Sequence, residues 1–307
     1  MHDLYRRYGK GLTFLFIGLT FFWLAILVIF PNFTMLESSF RPYLPQVDVG
    51  GPRDVYSLGN YAMILGNEVD FSIFGFVVPT PVRVKVFLLT IFYSAVVTVI
   101  TFVLAYPLAY YLAKIASPKS LPTLFLLLFV PLWVSEILRS FAWWIILALK
   151  GPLNYVLMNL GIIDSEIRWI AGFSPVIIGL VYTYVLFMVF PLYNAMQSLD
   201  SNQIEAAEDL GASSWRIHWR VILPHAKPGI ASGAVMVFML AAGSLLVPSL
   251  LGSTTSGWFT QTIQGIMMDS QDWNAGAAFA FMLLLVCTLF VSLMMRVFGV
   301  KLSDIAK

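Results

Sequence analysis

Charge is scarce in this chain. Asp, Glu, Lys and Arg make up only 11% of its 307 residues, while 59% are hydrophobic. A soluble domain carries roughly 25% charged residues, and a soluble fold this apolar could not keep a polar exterior. The net charge of +2 leaves no strongly basic face, so nothing points to nucleic acid. Cysteine is nearly absent. Cys287 is the sole one, which excludes an intrachain disulfide, and its apolar setting reads as an inert packed thiol. His2, His218 and His225 are too scattered for a metal site, and no H-E-x-x-H pattern occurs. There is also no G-x-x-x-x-G-K-[ST] loop, so any ATP is handled by another chain and no cofactor is expected here. No nucleophile with a base and no carboxylate pair falls at membrane depth, so no catalytic residue is assigned.

What the chain has instead is six apolar runs, at 12–30, 86–112, 121–149, 174–196, 230–251 and 276–298. Each is about the 20 residues a helix needs to cross a bilayer. They are continuous rather than alternating, which argues against barrel strands. The expected fold is an all-α membrane protein with six transmembrane helices. The membrane-spanning body covers 12–300, between an N-terminal segment 1–11 and a tail 301–307. The third run holds Pro131, Glu136 and Arg139, and one kinked span is expected there, because two halves of about 12 residues would each be too short to cross. The first run follows Arg6, Arg7 and Lys10. It is longer than a signal-peptide core and lacks a small-residue cleavage site, so it reads as a retained helix.

The positive-inside bias places both termini in the cytoplasm, with Lys114, Lys119, Arg216, Arg220 and Lys227 on that side. Loop 31–85 then faces outside, with a short helix at 58–65. Loop 197–229 faces the cytoplasm. In it, Asn202 and Glu205 suit a capping box. Ile204, Ala207 and Leu210 recur at helical spacing, Gly211 suits a helix stop, and Ser213 or Ser214 suits the cap of a second helix that Pro224 ends or bends. On the residues alone two readings stand. One is a docking element for another protein. The other is an interfacial helix pair anchored by Trp215 and Trp219.

Glu205-Ala206-Ala207, Gly211 after three residues, and Val221-Ile222-Leu223-Pro224 after nine more resemble the EAA loop of bacterial ABC importer permeases. The family pattern is E-A-A-x3-G-x9-I-x-L-P, and only Val221 departs from it. The resemblance implies that Glu205, Ala206, Ala207, Gly211, Leu223 and Pro224 couple to an ATPase subunit. Glu205 would meet a basic residue in that subunit's groove, and Gly211 would let the two short helices turn. Tyr106–Tyr110, Pro131–Arg139, Phe141–Trp143, Gly179–Tyr182, Pro191–Tyr193 and Val247–Gly252 further resemble spermidine/putrescine-type permease subunits. That resemblance implies an inner-membrane subunit importing a small organic solute, a polyamine first, with amino-acid derivatives or opine-like compounds as the alternative. The implied partners are a second permease, normally a different chain, two ATP-binding subunits and an extracytoplasmic solute-binding protein. One departure is Ser244, where many relatives carry an acidic residue.

Ionisable residues inside a span are costly, so Glu136 and Arg139 are pathway candidates. At i, i+3 they are also placed to neutralise each other. On one straight helix Trp133, Glu136, Ser140 and Trp144 share a stripe, with Arg139 and Trp143 beside it. A carboxylate among aromatic faces suits an organic cation, although the tryptophans equally suit a membrane-interface belt. Tyr182, Tyr184 and Ser244 are further candidates, and the small residues around Gly233 and Gly243 suit close helix approach. Two rival readings fit less well. A stand-alone channel or secondary transporter often shows internal inverted repeats, and no duplication is visible; an intramembrane enzyme lacks its reactive pair.

Overall fold

The computed structural model describes residues 2–45, 48, 50–66, 68–73, 76–253 and 257–299. The expected tail 301–307 lies outside the described residues. Among the described residues, five helical stretches are long and apolar enough to cross a membrane, or six if one bent pair forms a single span. The chain divides into two compact units, one of residues 1–68 with 263–282, the other of 69–262 with 283–307.

In the first unit, α1 (His2–Leu24) is broken at Gly9, where φ is +75°. A π-turn, Ala25–Ile29, leads into α2 (Phe30–Ser39). The apolar stretch Gly11–Ser39 is therefore longer than the run at 12–30. Pro31 does not stop it: the π-turn just before it, closed by Phe30 N–H to the Ala25 carbonyl, is the kind of local widening at which a proline is accommodated inside a continuing helix. Beyond α2, Arg41 donates to Glu37 at 2.6 Å, Asp54 at 3.0 Å and the Tyr56 hydroxyl at 3.0 Å. The Tyr56 hydroxyl, then the Glu37 carboxylate, hold the guanidinium above its ordinary pKa. Asn60 donates to the carbonyls of Ser39 and Arg41 and so closes this lobe over α3 (Gly59–Ala62). The helix expected at 58–65 is present as α3 and a 3₁₀ turn, Met63–Leu65.

One feature departs from the all-α expectation. β1 (Glu68–Ile73) and β2 (Phe76–Pro81) pair as a two-stranded sheet. The stretch is dense in Val, Phe and Ile, which favour strands, and too short for a span.

The second unit is built on α4 (Val82–Tyr110), which ends in a π-turn, Tyr111–Ile115. The third apolar run is not one kinked span. It forms α5 (Leu121–Trp133) and α6 (Glu136–Leu147), parted by extended backbone at Val134 (ψ 132°) and Ser135 (ψ 141°). Pro131 removes an amide near the end of α5, β-branched Val134 tolerates the extended state, and Ser135 is a residue type that favours the N-cap of α6. α7 (Pro152–Asn159) follows. Buried Asn154 on α7 binds the carbonyls of Leu149 and Ile167, each at 2.8 Å, and accepts from the Trp169 indole, which fixes the connection to α8 (Ser174–Gln197).

After α8 come α9 (Ser201–Asp209), α10 (Ser214–Ile217), a π-turn His218–Ile222 and α11 (Leu223–His225). α12 (Lys227–Ala242) then bends away from the stretch Ser214–His225 by 71°. α13 (Leu246–Leu251), α14 (Phe259–Gln264), a π-turn Gly265–Asp269 and α15 (Trp273–Phe298) complete the chain.

α8 is the centre of this unit and packs against α4 and α12. Lipid tails are as apolar as leucine, so close fit rather than apolar burial must hold such helices together. α4 supplies that fit with a buried face of small residues: Thr90, Ser94, Thr98, Thr101, Ala105 and Ala109. α12 supplies it with Gly229 and Gly233, which lie against Pro191 and Met188 of α8. Gly233 of the fifth run, with Gly229 just before it, thus serves the α8–α12 contact within this chain.

Candidate functional site

Two places answer to the sequence-predicted residues. The first is the α9–α10 hairpin. Its N-cap is Asp200, whose carboxylate accepts from the Asn202 amide at 3.0 Å. This corrects the capping box expected at Asn202 and Glu205. Two acceptors in succession satisfy the signal, and the earlier one holds the non-helical cap conformation, with ψ 127°. The turn between the helices follows the expected glycine logic. Gly211 adopts φ +76°. Its amide donates to Glu208 at 2.8 Å, and that of Ala212 reaches back to Ala207 at 3.0 Å. That bond pair is the Schellman closure of a helix end.

The hairpin has a buried base and an exposed tip. Leu199, Ile217 and Ile222 are buried, while Glu205, Ala206, Leu210 and Trp215 face outward. Leu210 is 88% exposed, so it does not complete the inward face with half-buried Ile204 and Ala207. Trp215 and Trp219 meet edge to face at 5.8 Å. Leu223 and exposed Pro224 open α11 directly after the π-turn.

The second place is a seam between α8 and α12. At one end a cavity of about 250 Å³ is lined by Glu136, Tyr184, Gly243 and Ser244, among others. The Tyr184 hydroxyl donates to Glu136 Oε1 at 3.3 Å. Further along, a cavity of about 710 Å³ carries Asn194, Ser198, His225 and Ser232 among aromatic and aliphatic walls. Ser198 Oγ and His225 Nε2 share a hydrogen bond of 3.0 Å at its end.

Glu136 of α6 and Ser244, in the turn after α12, are therefore brought to one cavity with Tyr184 of α8. The other pathway candidates lie outside that lining. Ser140 is buried and returns its hydroxyl to the Glu136 carbonyl. Trp143 packs edge to face on Tyr182 at 5.5 Å. Trp133 is 77% exposed, and Trp144 is also exposed. The single stripe from Trp133 to Trp144 does not exist, because the break at Val134–Ser135 separates its first residue from the rest. Glu136 and Arg139 form no ion pair among the described residues. The Arg139 Nε is buried without a hydrogen-bond partner there. Asn194 was not singled out from the sequence, and Ser232 reads there only as a small residue for close helix approach, although polar residues on two neighbouring apolar runs were the available signal. Among the described residues no group of three His, Cys, Asp or Glu could hold a metal ion.

Comparison with known proteins bears on the family and the fold. A family model described as "Binding-protein-dependent transport system inner membrane component" matches residues 88–303. The spermidine/putrescine transport system permease protein PotB of Salmonella typhimurium is 35% identical over 287 residues, covering 92% of this chain and 94% of that protein. The inner membrane ABC transporter permease protein YdcU of Escherichia coli is 26% identical over 312 residues, covering 94% and 90%. Among solved structures, a bacterial alginate ABC transporter in complex with an alginate pentasaccharide-bound periplasmic protein contains a chain that superposes with a TM-score of 0.72. That match covers 98% of this chain and 99% of the other at 16% identity, which speaks for the fold.

Proposed function

The chain belongs to the family of binding-protein-dependent transport system inner membrane components, and from that premise we propose that it forms half of the passage through which an ABC importer takes up a small organic cation, a polyamine first. The observation that carries this reading is the α9–α10 hairpin. Its base is packed into the helical body, its turn is fixed by Gly211 at φ +76°, and its tip presents Glu205 and Leu210 outward. A rigid element with a buried base and an exposed acidic and apolar tip is suited to being gripped by a soluble subunit. The protein is a multi-pass inner-membrane permease subunit, and ATP hydrolysis falls to its partners. In this reading six spans cross the bilayer, with α12 as the fifth, and the hairpin and both termini face the cytoplasm. The complex holds a second permease, two ATP-binding subunits and an external solute-binding protein.

The solute class rests on the Glu136 cavity. A carboxylate held by one neutral hydroxyl and no ion pair keeps its charge available to an organic ammonium group. Ser244 and Tyr184 add neutral oxygens to the same wall. The 35% identity to a spermidine/putrescine permease supports a polyamine. The alternative solutes, amino-acid derivatives and opine-like compounds, carry a carboxylate as well as an amine.

The test combines recruitment with uptake. The membrane complex is expected to retain its ATP-binding subunits in a pull-down, and Glu205→Lys is expected to release them. Vesicles carrying the intact complex and its binding protein should accumulate labelled spermidine only with ATP. Uptake that continues without any ATP-binding subunit would overturn the assignment.

A further inference from the structure

α4 is tied to the hairpin at both ends of its base. Tyr106, Tyr110 and Lys114 stand four residues apart along the end of α4 and its π-turn. The Tyr106 hydroxyl and His218 Nδ1 share a hydrogen bond of 2.8 Å, which joins positions 112 residues apart in sequence. Tyr110 packs edge to face on the same imidazole at 4.6 Å, and Tyr106 does so at 5.8 Å. His218 is the residue at which the hairpin ends and its π-turn begins. At the other end Lys114 Nζ donates to the carbonyl of Leu199, just before the Asp200 cap of α9. Leu199, Ile217 and Ile222 are buried around these two ties, and none of the tied residues lies at the exposed tip.

Chain connectivity alone would link the hairpin to α8 and α12, because it lies between them in sequence. The contacts to α4 add a third helix that connectivity does not require. α4 in turn packs its small-residue face on the helical core. Two polar ties at the ends of a short rigid element leave it no free rotation relative to α4. Packed, hydrogen-bonded elements shift as units rather than deform.

We infer that Tyr106, Tyr110, Lys114 and His218 form a joint that makes α4 move with the hairpin, so that displacement of the hairpin reaches the passage through α4 as well as through α8 and α12. The inference rests on the reading of the hairpin as the ATPase-docking element. These four are positioning residues and touch neither solute nor nucleotide. Their removal uncouples hydrolysis from uptake and leaves docking intact.

The test uses the complete reconstituted transporter with its second permease, ATP-binding subunits and binding protein. Spermidine uptake per ATP hydrolysed is measured beside ATPase recruitment. Tyr106→Phe and His218→Leu should each lower that ratio about threefold or more, an effect of the size seen for coupled contacts. Recruitment should be unchanged. The double variant should be no worse than the worse single one, because both remove one bond. His218→Asn, which returns a polar group near the Nδ1 position, should recover most of the ratio, an outcome that general misfolding would not give. A ratio that stays at the wild-type value in both single variants overturns the joint, and so does a double variant equal to the product of the singles. The parent reading is judged separately by Glu205→Lys. If that variant retains the ATPase, the docking assignment fails whatever the joint variants do. If it releases the ATPase while the joint variants transport normally, the joint alone fails.

Discussion

Gly229 on α12 lies so close to Pro191 on α8 that a Cβ built on it would collide with the Pro191 carbonyl oxygen and come within 2.6 Å of the Ala195 Cβ. The obstacle is backbone, which cannot swing aside as a side chain would. In a bilayer this closeness is what makes two apolar helices prefer each other to lipid. Gly229→Val should therefore destabilise the protein by about 1–3 kcal/mol, the usual cost of overpacking. A lower melting temperature of the detergent-purified protein would register it. Gly18→Ala is the control, since nothing lies within 4 Å of its added carbon.

The hairpin turn gives a second prediction. Gly211 sits at φ +76°, a conformation that β-branched side chains resist at a cost of roughly 1–2 kcal/mol. Gly211→Val should insert normally and still lose solute-stimulated ATP hydrolysis, because the two short helices no longer meet at a fixed angle. Asparagine tolerates this region better, so Gly211→Asn should retain more activity. Equal, wild-type hydrolysis in all three proteins would show that the turn angle does not matter.

The cap of α9 gives a third. Asp200→Ala removes the acceptor for the Asn202 amide and should cost about 1 kcal/mol of local helix stability. Hydrogen exchange across Ser201–Asp209 should quicken by several-fold. Asn202→Ala keeps the cap and should leave exchange near its original rate. The reverse order would restore the capping box suggested by the sequence.

The Glu136 cavity gives a fourth. Charged hydrogen-bond partners contribute roughly 1.5–3 kcal/mol, so Glu136→Gln should raise the KM for a diamine about tenfold or more. Tyr184→Phe removes one neutral donor to that carboxylate and should cost less. If uptake kinetics of Glu136→Gln match the parent protein, the carboxylate does not meet the solute.

Much of this was legible in the sequence where long-range packing had no vote. Four apolar runs, at 12–30, 86–112, 174–196 and 276–298, read as helices because length and composition alone set that outcome, whereas the fifth breaks after Ala242 into α12 and α13. Gly211 read as a turn because few other residues reach positive φ. The third run misled because hydropathy measures only apolarity, and Val134 and Ser135 do not interrupt that. Their extended backbone depends on Pro131 before them and on a new helix start at Glu136. Spacing left open whether Glu136 pairs with Arg139 or faces the passage, and the side chain of Glu136 turns to Tyr184 on another helix. The Tyr106–His218 bond was out of reach altogether, since nothing local to either residue announces a partner 112 positions away.

The gap between α5 and α6 has a consequence for hydration. Helices of 13 and 12 residues rise only about 20 Å and 18 Å at 1.5 Å per residue. A hydrocarbon layer is roughly 30 Å thick, so α5 alone does not cross it, and α6 reaches that length only together with α7, as the stretch Glu136–Asn159. The first amides of α6 have no intrahelical acceptors, and acyl chains offer none. Exposed Val134 and Ser135 must therefore meet water or another protein surface. Beside Glu136, that requirement marks a place where the bilayer gives way to a wet interior.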